Sequence, residues 1–483
     1  MEPSENRLFK ERKEKLKEWI DKGENPYLQR FTPQSLGEIV KNHQKLKAGE
    51  KTDEEVSLGG RIIARRGHGK AIFADIVNRE GKLQVYARKE NLKEKYSLFQ
   101  KLDVGDIIGV RGRVFKTRTG ELTIDVLYFT LLSKSLRPLP EKWHGLQDIE
   151  LRYRKRYLDL LFNPRIRETF VLRARIIKSM RDFLDRKGFL EVETPILQPI
   201  AGGATARPFK THHQALNKDL YLRIAVELYL KKLVVGGIEK VYEIGKDFRN
   251  EGIDRFHNPE FTMLESYSSY DTYKEVMELS EELIYTASKE VKGNSKIKYQ
   301  GKEIDLSPPW KRITFEEALR KIGNIEVDYK NERELKAIAQ KERIKTEGLR
   351  CDQIIEHLLD KKVTPKLINP TFIIDYPFET CPLAKRKREQ PSLIERFEIF
   401  IGGQEVGNAY SELNDPIEQR ERLMEMAGEE GAPDLDEDFL EALEHGMPPT
   451  GGLGIGIDRL VMLLTDSPSI RDVILFPQMK PKK

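Results

Sequence analysis

The sequence predicts an α+β protein of two domains: a small five-stranded β-barrel near the N-terminus and a larger C-terminal domain with an antiparallel sheet flanked by helices. Short alternating strands punctuated by glycines fill residues 56–132. The remainder mixes strands and helices without regular βαβ alternation, which favours an antiparallel over a doubly wound sheet. The length of 483 residues fits two or three domains. We place the domains at 1–140 and 141–483, after a proline-containing linker at 135–140.

The N-terminal domain is predicted to begin with one helix and to continue as a barrel. Residues 7–22 carry a few apolar side chains among lysines and glutamates and end at Gly23, as expected of an amphipathic surface helix. Five strands follow, with a helix at 91–101 between the third and the fourth. This arrangement is typical of a Greek-key barrel of the oligonucleotide-binding type.

Strand alternation predicts which barrel side chains point outward, because successive residues face opposite sides of a sheet. It gathers one set on an outer face: Arg65, Phe73, Gln84, Tyr86, Arg88 and Glu121. Aromatic rings can stack on bases, cations can bind phosphates, and amides or carboxylates can bind base edges. An ordinary solvated face with scattered aromatics would show the same pattern, so alternation alone leaves both interpretations open.

In the C-terminal domain, residues 164–187 are predicted to form a helix that Gly188 ends, and 271–365 a mostly helical insertion. The segment 241–267 reads as strand, loop, strand. The loop supplies His257, and the other candidate residues fall on one surface of such a hairpin: Arg249, Glu251, Phe261, Met263, Glu265 and Tyr267. An arginine can clamp phosphate or carboxylate, a phenylalanine can stack on a base, and a buried glutamate can neutralise ammonium. A surface hairpin with ion pairs is the alternative.

The segment 397–413 combines carboxylates with apolar and aromatic residues. Glu398 and Glu405 can hold Mg²⁺, which prefers oxygen ligands together with substrate phosphates. Three residues share strand parity and can line a pocket: Asn408, Tyr410 and Glu412. Because Glu405 has the opposite parity, a bulge or turn is predicted between them. Exposed charges on an edge hairpin are the alternative interpretation.

The segment 450–464 is predicted to be a glycine-rich strand that runs into a buried helix. Glycines permit close approach of the backbone to a ligand. Arg459 falls in the first helical turn, where backbone N–H groups favour anions. The stretch lacks the third glycine of GxGxxG, and no GxxxxGK[ST] loop occurs in the chain, so any ATP site must follow another scheme.

Composition excludes some classes of protein and leaves others open. Charged residues make up 34% of the chain, above the roughly 25% typical of soluble domains, but the net charge is only +5. Two cysteines argue against a disulfide framework or a four-ligand zinc site. We see no signal peptide and no apolar run of the ~18 residues that a membrane span requires. The expectation is a cytoplasmic protein without a membrane segment.

Three separated motifs carry a family resemblance: GFLEVETP at 188–195, FRNE at 248–251 with the loop to Phe261, and GIGIDR at 454–459. They resemble motifs 1, 2 and 3 of the class II aminoacyl-tRNA synthetases. Further segments are similar to the lysine enzymes of that class, of bacterial type: GGATARPFKTHH at 202–213, ELYL at 227–230 and GGQEVGNAYSELND at 402–415. The N-terminal barrel resembles that family's anticodon-binding domain, and the resemblance covers residues 5 to 480.

The resemblance implies a homodimeric enzyme with a class II synthetase domain, which activates L-lysine with ATP and Mg²⁺ and loads it onto tRNA(Lys). It implies these ATP contacts: Arg249 on the α-phosphate and the lysine carboxylate, Phe261 and Glu251 on adenine, His257 and Arg459 on the outer phosphates. Arg249 and Arg459 are the implied catalytic residues, and Glu398 and Glu405 the implied metal ligands. It implies these lysine contacts: Gly203, Glu227 and Glu265 for the α-amino group, Tyr267 and Glu412 for the side-chain ammonium, Asn408 and Tyr410 lining the pocket. It implies these anticodon contacts: Arg65, Phe73, Gln84 and Glu121.

Two positions depart from the family pattern. Val226 stands where proline usually precedes the ELY run, a change that bears on the local backbone at Glu227, and Tyr410 adds a hydroxyl to an aromatic position. Three alternative functions remain: an aspartyl or asparaginyl synthetase, a paralogue that modifies protein lysine, and a non-enzymatic single-strand binder. Glu412 with Tyr267 argues against the first and the N-terminal barrel against the second, while the third explains residues 56–132 only.

Overall fold

The computed structural model divides the chain into two compact units, Met1–Gly145 and Leu146–Lys483. It describes residues 3–67, 69–140, 148–204, 206–326, 331–427 and 435–481. The domain boundary that the sequence predicts, between 140 and 141, falls at the edge of a stretch outside the described residues.

The N-terminal unit is a closed five-stranded barrel with strand order β1-β2-β3-β5-β4. Its strands are β1 (Lys51–Arg66), β2 (Ala71–Asn78), β3 (Gly81–Arg88), β4 (Ile107–Lys116) and β5 (Leu122–Ser133). Its helices are α1 (Pro3–Asp21), α2 (Leu36–His43), α3 (Lys89–Leu92) and α4 (Tyr96–Gln100). Alternate apolar residues of each strand fill the interior, as in Ile72, Ala74 and Ile76 of β2. The prediction of an oligonucleotide-binding barrel is confirmed.

A β-bulge in β1 reverses the alternation predicted for one strand. Ile62 lies opposite Ile76, but the register then shifts, so that Ala64 lies opposite Asp75 and Arg65 opposite the buried Ala74. Because a bulge inserts one residue, every later side chain changes face. The prediction that Arg65 points outward, and Ala64 inward, is therefore wrong. The Arg65 guanidinium instead donates a hydrogen bond to the carbonyl of Gln100 at 2.8 Å.

The C-terminal unit contains one main sheet of eight strands, ordered β14-β15-β16-β17-β18-β11-β10-β6. The strands of this unit are β6 (Leu190–Glu191), β7 (Leu197–Gln198), β8 (Lys210–His213), β9 (Lys218–Leu222), β10 (Lys240–Phe248), β11 (Glu260–Ser269), β12 (Lys296–Tyr299), β13 (Lys302–Asp305), β14 (Lys311–Thr314), β15 (Thr371–Pro377), β16 (Leu393–Ile401), β17 (Gln404–Ser411) and β18 (Thr450–Gly456). Only its two outer pairs, β14–β15 and β10–β6, run parallel. The predicted antiparallel sheet is thus confirmed.

Helices cover both faces of the main sheet. The α-helices are α5 (Ile149–Arg154), α6 (Arg156–Phe162), α7 (Pro164–Arg186), α8 (Glu227–Val235), α9 (Tyr273–Lys292), α10 (Phe315–Glu317), α11 (Glu332–Lys341), α12 (Cys351–Lys362), α13 (Pro416–Ala427), α14 (Glu437–Glu444), α15 (Ile457–Thr465) and α16 (Ile470–Val473). Apolar residues of α7, α9 and α15 form one core with Leu264 of β11. Residues of α8, α12 and α14 form a second core with Tyr267, whose side chain leaves the opposite face of the same strand. The second face is the one that carries the candidate site.

The helical predictions are mostly confirmed. Helix α7 ends at Arg186, and Gly188 follows with φ +85°, a conformation that suits glycine. The segment 271–365 holds long helices as predicted, but it also holds β12, β13 and β14, and β14 forms one edge of the main sheet. These strands have four residues each, too few to show a convincing alternation. Among the described helices, none is long and apolar enough to cross a membrane.

Candidate active site and nucleic-acid interface

One cavity of about 550 Å³ in the C-terminal unit is lined by every residue that the sequence predicts for catalysis and for ATP, lysine or metal binding. The fourteen are Gly203, Glu227, Arg249, Glu251, His257, Phe261, Glu265, Tyr267, Glu398, Glu405, Asn408, Tyr410, Glu412 and Arg459. They come from segments more than 200 residues apart in sequence. A cavity of this size accommodates a small ligand with several polar contacts.

The β10–β11 hairpin supplies one wall. Its register is continuous from Lys240 opposite Ser268 to Phe248 opposite Glu260, so alternate β11 residues face the cavity together. Arg249 follows the end of β10, where its backbone N–H donates to the carbonyl of Pro259 at 2.9 Å. Its guanidinium carbon lies 5.1 Å from the centre of the Phe261 ring, and its Nε is buried without a hydrogen-bond partner. The hairpin therefore offers a cation and a stacking surface side by side.

Buried carboxylates and tyrosines line one end of the cavity. Tyr267 donates a hydrogen bond to Glu265 at 3.0 Å, and Tyr410 donates one to Glu227 at 2.7 Å. The hydroxyl that distinguishes Tyr410 from the family pattern thus binds inside the site. Burial raises the pKa of Glu265 well above its usual range, and the nearby Asp247 acts in the same direction. This end of the cavity is suited to a ligand that brings positive charge.

Glu412 completes this anionic wall. It is 1% exposed, and neither carboxylate oxygen has a well-directed hydrogen bond, although Lys231 approaches Oε2 closely as an ion pair. Burial raises the pKa of Glu412 to about 8, and Lys231 acts in the opposite direction. An under-satisfied buried carboxylate is costly to the protein, which is typical of a group that a ligand completes.

Two glycines make room for these carboxylates. A Cβ on Gly452 in β18 would lie 1.9 Å from Oε1 of Glu412 and 2.7 Å from the Tyr267 ring, so only glycine permits the observed packing. Gly203 has φ +85°, and a Cβ there would lie 3.3 Å from the Cβ of Glu227. Both glycines are therefore required by close approach of neighbouring atoms, and Gly203 also by its backbone.

Glu398 and Glu405 lie further along the cavity, on either side of a β-bulge. Glu398 pairs with Asn408, but the register shifts between Ile399 and Phe400, so that Glu405 lies opposite Phe400. The bulge that the sequence predicted is confirmed. It turns Glu405 toward the cavity despite its parity.

Arg396 and Tyr376 hold Glu398 in place. Arg396 donates to one carboxylate oxygen at 2.5 Å and Tyr376 to the other at 2.8 Å. Burial raises the pKa of Glu398 to about 8, Arg396 lowers it and the neighbouring Glu405 raises it. A divalent cation between the two glutamates would relieve this repulsion, and the oxygen donors suit Mg²⁺. Within the described part of the chain, no group of three or more candidate ligands stands ready for a metal ion.

Arg459 and His257 meet near the Glu405 end. Arg459 lies in the first turn of α15 and donates to the carboxylate and the carbonyl of Glu405, each at 2.9 Å. Its other nitrogen lies 3.2 Å from Nε2 of His257, whose Nδ1 is 2.8 Å from Asp254. Arginine, histidine and a helix N-terminus together favour an anion at this position.

Two buried cations of the site, Arg396 and Lys231, are not among the residues predicted from the sequence. Arg396 lies two residues before Glu398 on the same strand face, and it also donates to the side-chain oxygen of Asn408 at 3.2 Å. Lys231 lies four residues after Glu227 on α8 and pairs with it at 2.7 Å. Both pairs have a spacing that can be read from the sequence. Arg396 and Glu398 are two residues apart on a strand, and Glu227 and Lys231 are four residues apart on a helix.

The Val226 departure does not remove Glu227 from the site. Val226 is the N-cap of α8, with φ −96° and a side chain that is buried in the second core. Its carbonyl accepts the hydrogen bond of the Leu230 N–H at 3.2 Å, so the helix begins there. Glu227 then lies in the first turn and lines the cavity.

The barrel unit carries a separate candidate interface for nucleic acid. Phe73 and Tyr86 stack with ring centres 4.3 Å apart, and Phe115 lies 6.1 Å beyond Tyr86. Gln84 is on the same side by register but is buried, and its amide oxygen accepts a hydrogen bond from Thr123. Glu121 is exposed just before β5. The aromatic row is thus brought together, while Arg65 is not part of it.

Comparison with known proteins is consistent across the chain. A family model described as tRNA synthetases class II (D, K and N) matches residues 148–480, and one described as an OB-fold nucleic acid binding domain matches residues 56–132. The chain is 55% identical over 488 residues to "Lysine--tRNA ligase" of Carboxydothermus hydrogenoformans, covering 99% of both proteins. It is 55% identical over 486 residues to "Lysine--tRNA ligase" of Thermoanaerobacter pseudethanolicus, covering 99% of this chain and 97% of that protein. "Lysine--tRNA ligase" of Moorella thermoacetica is 54% identical over 493 residues, with 99% of each covered.

We predict that Gly452→Ala displaces Glu412 and weakens binding of lysine, the ligand implied by the sequence resemblance, by at least about tenfold. The reason is the 1.9 Å separation between the new Cβ and Oε1 of Glu412. Isothermal titration calorimetry with lysine measures the effect. Gly454→Ala in the same strand is the control, because its Cβ would meet nothing nearer than 3.5 Å. Equal losses in both variants would contradict the prediction.

Proposed function

The chain belongs to the class II tRNA synthetases for aspartate, lysine and asparagine, and within them to the lysine–tRNA ligases, and from this membership we propose how its cavity performs the reaction. Lysine and ATP react to give lysyl-adenylate and pyrophosphate, and the lysyl group then passes to the 3′-terminal ribose of tRNA(Lys). The observation that carries the proposal is that a buried anionic wall and two arginines, Arg249 and Arg459, line a single cavity.

Lysine is proposed to lie at the carboxylate end. Glu412 and Tyr267 receive the side-chain ammonium, and Glu227, Glu265 and the backbone at Gly203 receive the α-amino group. Each ammonium then gains charge-assisted hydrogen bonds that a neutral side chain cannot make. Asn408 and Tyr410 line the pocket between these groups.

This wall also decides between lysine and the other substrates of the family. An aspartyl side chain requires a free cation, and here Lys231 is already engaged by Glu227 and Glu412. An asparagine amide would leave the buried Glu412 carboxylate without a countercharge, which is unfavourable. The N-terminal barrel matches a nucleic acid binding domain, which favours tRNA over a protein as the acceptor of the lysyl group.

ATP is proposed to bind between the hairpin and α15. Adenine stacks on Phe261 with Glu251 near its amino group, Arg249 binds the α-phosphate and the lysine carboxylate, and His257 with Arg459 binds the outer phosphates. The carboxylate of lysine attacks the α-phosphorus in line, and no protein nucleophile is needed. The two arginines stabilise the charge that develops on the phosphate oxygens.

Glu398 and Glu405 are the residues that would hold Mg²⁺. The ion would supply countercharge to the ATP phosphates and complete its coordination with phosphate oxygens and water. Arg396 and Tyr376 keep Glu398 oriented toward the cavity. The charge repulsion between the two glutamates, described above, supports this assignment.

The barrel is proposed to read the anticodon of tRNA(Lys), with bases stacking on the row that contains Phe73. From the family resemblance we retain Gln84, Glu121 and Arg65 as candidate contacts; Arg65 would act from the barrel rim rather than from the aromatic face.

A homodimer is proposed through α7 and the strands that follow it. Four apolar side chains there are about half exposed: Val171, Leu190, Ile196 and Leu197. A second copy would bury them. We place the enzyme in the cytoplasm, where its free thiols Cys351 and Cys381 suit a reducing compartment.

Arg249→Ala is predicted to lower kcat/KM for lysine-dependent ATP–pyrophosphate exchange by roughly 100- to 10,000-fold. Two charge-assisted interactions are lost, each contributing about 1.5–3 kcal/mol. Filter binding of tRNA(Lys) should stay within threefold of the wild type. Arg320→Ala, at an exposed position outside α7 and the cavity, is the control and should leave exchange unchanged. Retained exchange in Arg249→Ala would contradict the site assignment.

Glu412→Gln is predicted to raise the KM for lysine by roughly 10- to 100-fold while the KM for ATP changes less than threefold. A neutral amide replaces the carboxylate that receives the ammonium, at a cost of about 1.5–3 kcal/mol. Exchange kinetics with either substrate varied provide the measurement. Glu278→Gln, on the exposed side of α9, is the control. A parallel rise in both KM values would speak against a lysine-specific role.

Phe73→Ala is predicted to raise the KM for tRNA by roughly 5- to 100-fold in aminoacylation and to spare lysine–ATP exchange. Base stacking on an aromatic side chain contributes about 1–3 kcal/mol. The control is Tyr128→Ala, since Tyr128 is an exposed barrel aromatic outside the Phe73–Tyr86–Phe115 row. Equal losses of exchange and aminoacylation would refute the assignment of tRNA recognition to the barrel and of lysine activation to the C-terminal unit.

A further inference from the structure

Lys231 lies directly behind the anionic wall. Its side chain is 0% exposed, and its ammonium pairs with Glu227 at 2.7 Å and with Glu412. The Tyr410 and Phe439 rings lie 5.7 and 5.9 Å from the same nitrogen. Two carboxylates raise the pKa of Lys231 above its ordinary value despite burial, so it stays charged. A permanent cation is thus built into the site without lining the cavity.

The balance of carboxylates and ammonium groups at this end of the cavity indicates what Lys231 contributes. Three buried carboxylates converge there: Glu227, Glu265 and Glu412. When all three are ionised, as ion pairing with bound lysine requires, one resident ammonium leaves two negative charges for the substrate to neutralise. Free lysine brings two ammonium groups, and its own carboxylate is taken by Arg249 in the proposed function. With lysine bound, three carboxylates face three ammonium groups, whereas an amino acid with a neutral side chain leaves one carboxylate unpaired.

Lys231 also fixes the direction of Glu412. The ammonium approaches Oε2, whereas Oε1 is the oxygen that lies beside Gly452 and the Tyr267 ring, which both line the cavity. Because one oxygen is held from behind, the other is kept for a ligand in front. Glu227 is held in the same way by Lys231 and by the hydroxyl of Tyr410.

Resting on the proposed function, we propose that Lys231 is a positioning and specificity-determining residue of the lysine pocket: a resident ammonium that leaves places for two more and so selects a dicationic amino acid. A purely structural role predicts something different. If Lys231 only tied α8 to the end of β17, its loss would lower stability and weaken lysine and ATP binding alike, with no dependence on pH beyond that of the wild type.

The first test replaces Lys231 by a neutral residue in the full-length enzyme. In Lys231→Met and Lys231→Gln we expect the KM for lysine in ATP–pyrophosphate exchange to rise about 10- to 100-fold, with the KM for ATP within threefold. Lys134→Met is the matched control. Lys134 is also 0% exposed and pairs with two carboxylates, Asp103 and Asp106, but it lies in the barrel unit. Its loss should lower thermal stability and leave lysine KM unchanged.

The second test uses pH. Burial raises the pKa of Glu412 to about 8 although Lys231 opposes this, so removing Lys231 should raise that pKa further and hold the proton on the carboxyl more strongly between pH 7 and 9. Lysine must then displace that proton, which costs up to tenfold in affinity per pH unit below the pKa. The charged and titratable groups around Glu412 are Lys231, Glu227, Tyr267 and Tyr410, with Glu265 beside Tyr267 and Cys381 beside Tyr410.

The expected result is a ratio of lysine KM, variant over wild type, that falls as pH rises from 7 to 9. Titration of lysine itself cancels in this ratio. In the double variant Lys231→Met/Glu227→Gln, the two remaining carboxylates, Glu265 and Glu412, again face the two ammonium groups of bound lysine. Its ratio should be at least threefold lower than that of Lys231→Met at pH 7, and it should be independent of pH. This variant also removes the uncompensated buried charge, so it remains measurable if the single variants unfold.

The outcomes separate the two proposals. Absence of lysine-dependent exchange in the wild type would overturn the proposed function itself. With an active wild type, the assignment of Lys231 is overturned if the single variants keep lysine KM within twofold. It is also overturned if the ratio of their lysine KM to that of the wild type does not change with pH. The same holds if the lysine KM of the double variant is no lower than that of Lys231→Met.

Discussion

Compensation of buried negative charge is the constraint on which this active site depends. Glu227, Glu265 and Glu412 are each at most 7% exposed, and moving a lone carboxylate into such surroundings costs several kcal/mol. The protein meets part of that cost with Lys231 and with tyrosine hydroxyls. The remainder is left for the substrate, so that the completed set of ion pairs exists only when lysine is present. Affinity and selectivity then have one physical origin.

The opposite end of the cavity has the reverse polarity. Arg249, His257 and Arg459 line the space assigned to phosphates, where Arg459 also pairs with Glu405 at 2.9 Å. The lysine carboxylate and the α-phosphate, which must react, would meet at Arg249. Two negatively charged groups are thereby brought into contact by one guanidinium, which removes much of the electrostatic cost of their approach. The fold achieves this with a hairpin, a bulge and the first turn of a helix.

Much of this arrangement could be predicted from sequence, and particular residues show why the rest could not. Alternation placed Phe261, Glu265 and Tyr267 correctly because β11 is regular along its length. It also exposed the parity conflict at Glu405, which the bulge resolves. The same method failed at Arg65, because a bulge in β1 adds a residue where nothing in the sequence marks it. Lys231 was not predicted for another reason: its partner Glu412 is 181 positions away in the sequence, and only folding brings the two side chains together.

The glycine strand β18 has a consequence for how such an enzyme can change its substrate. Gly452, Gly454 and Gly456 line the cavity without a side chain, and at Gly452 even a methyl group is excluded. Substitution at Gly452 is therefore closed, although Gly454 has room for a methyl group. New amino-acid preferences must arise from β11, β17 or α8, and libraries for non-natural amino acids are best confined to those three elements.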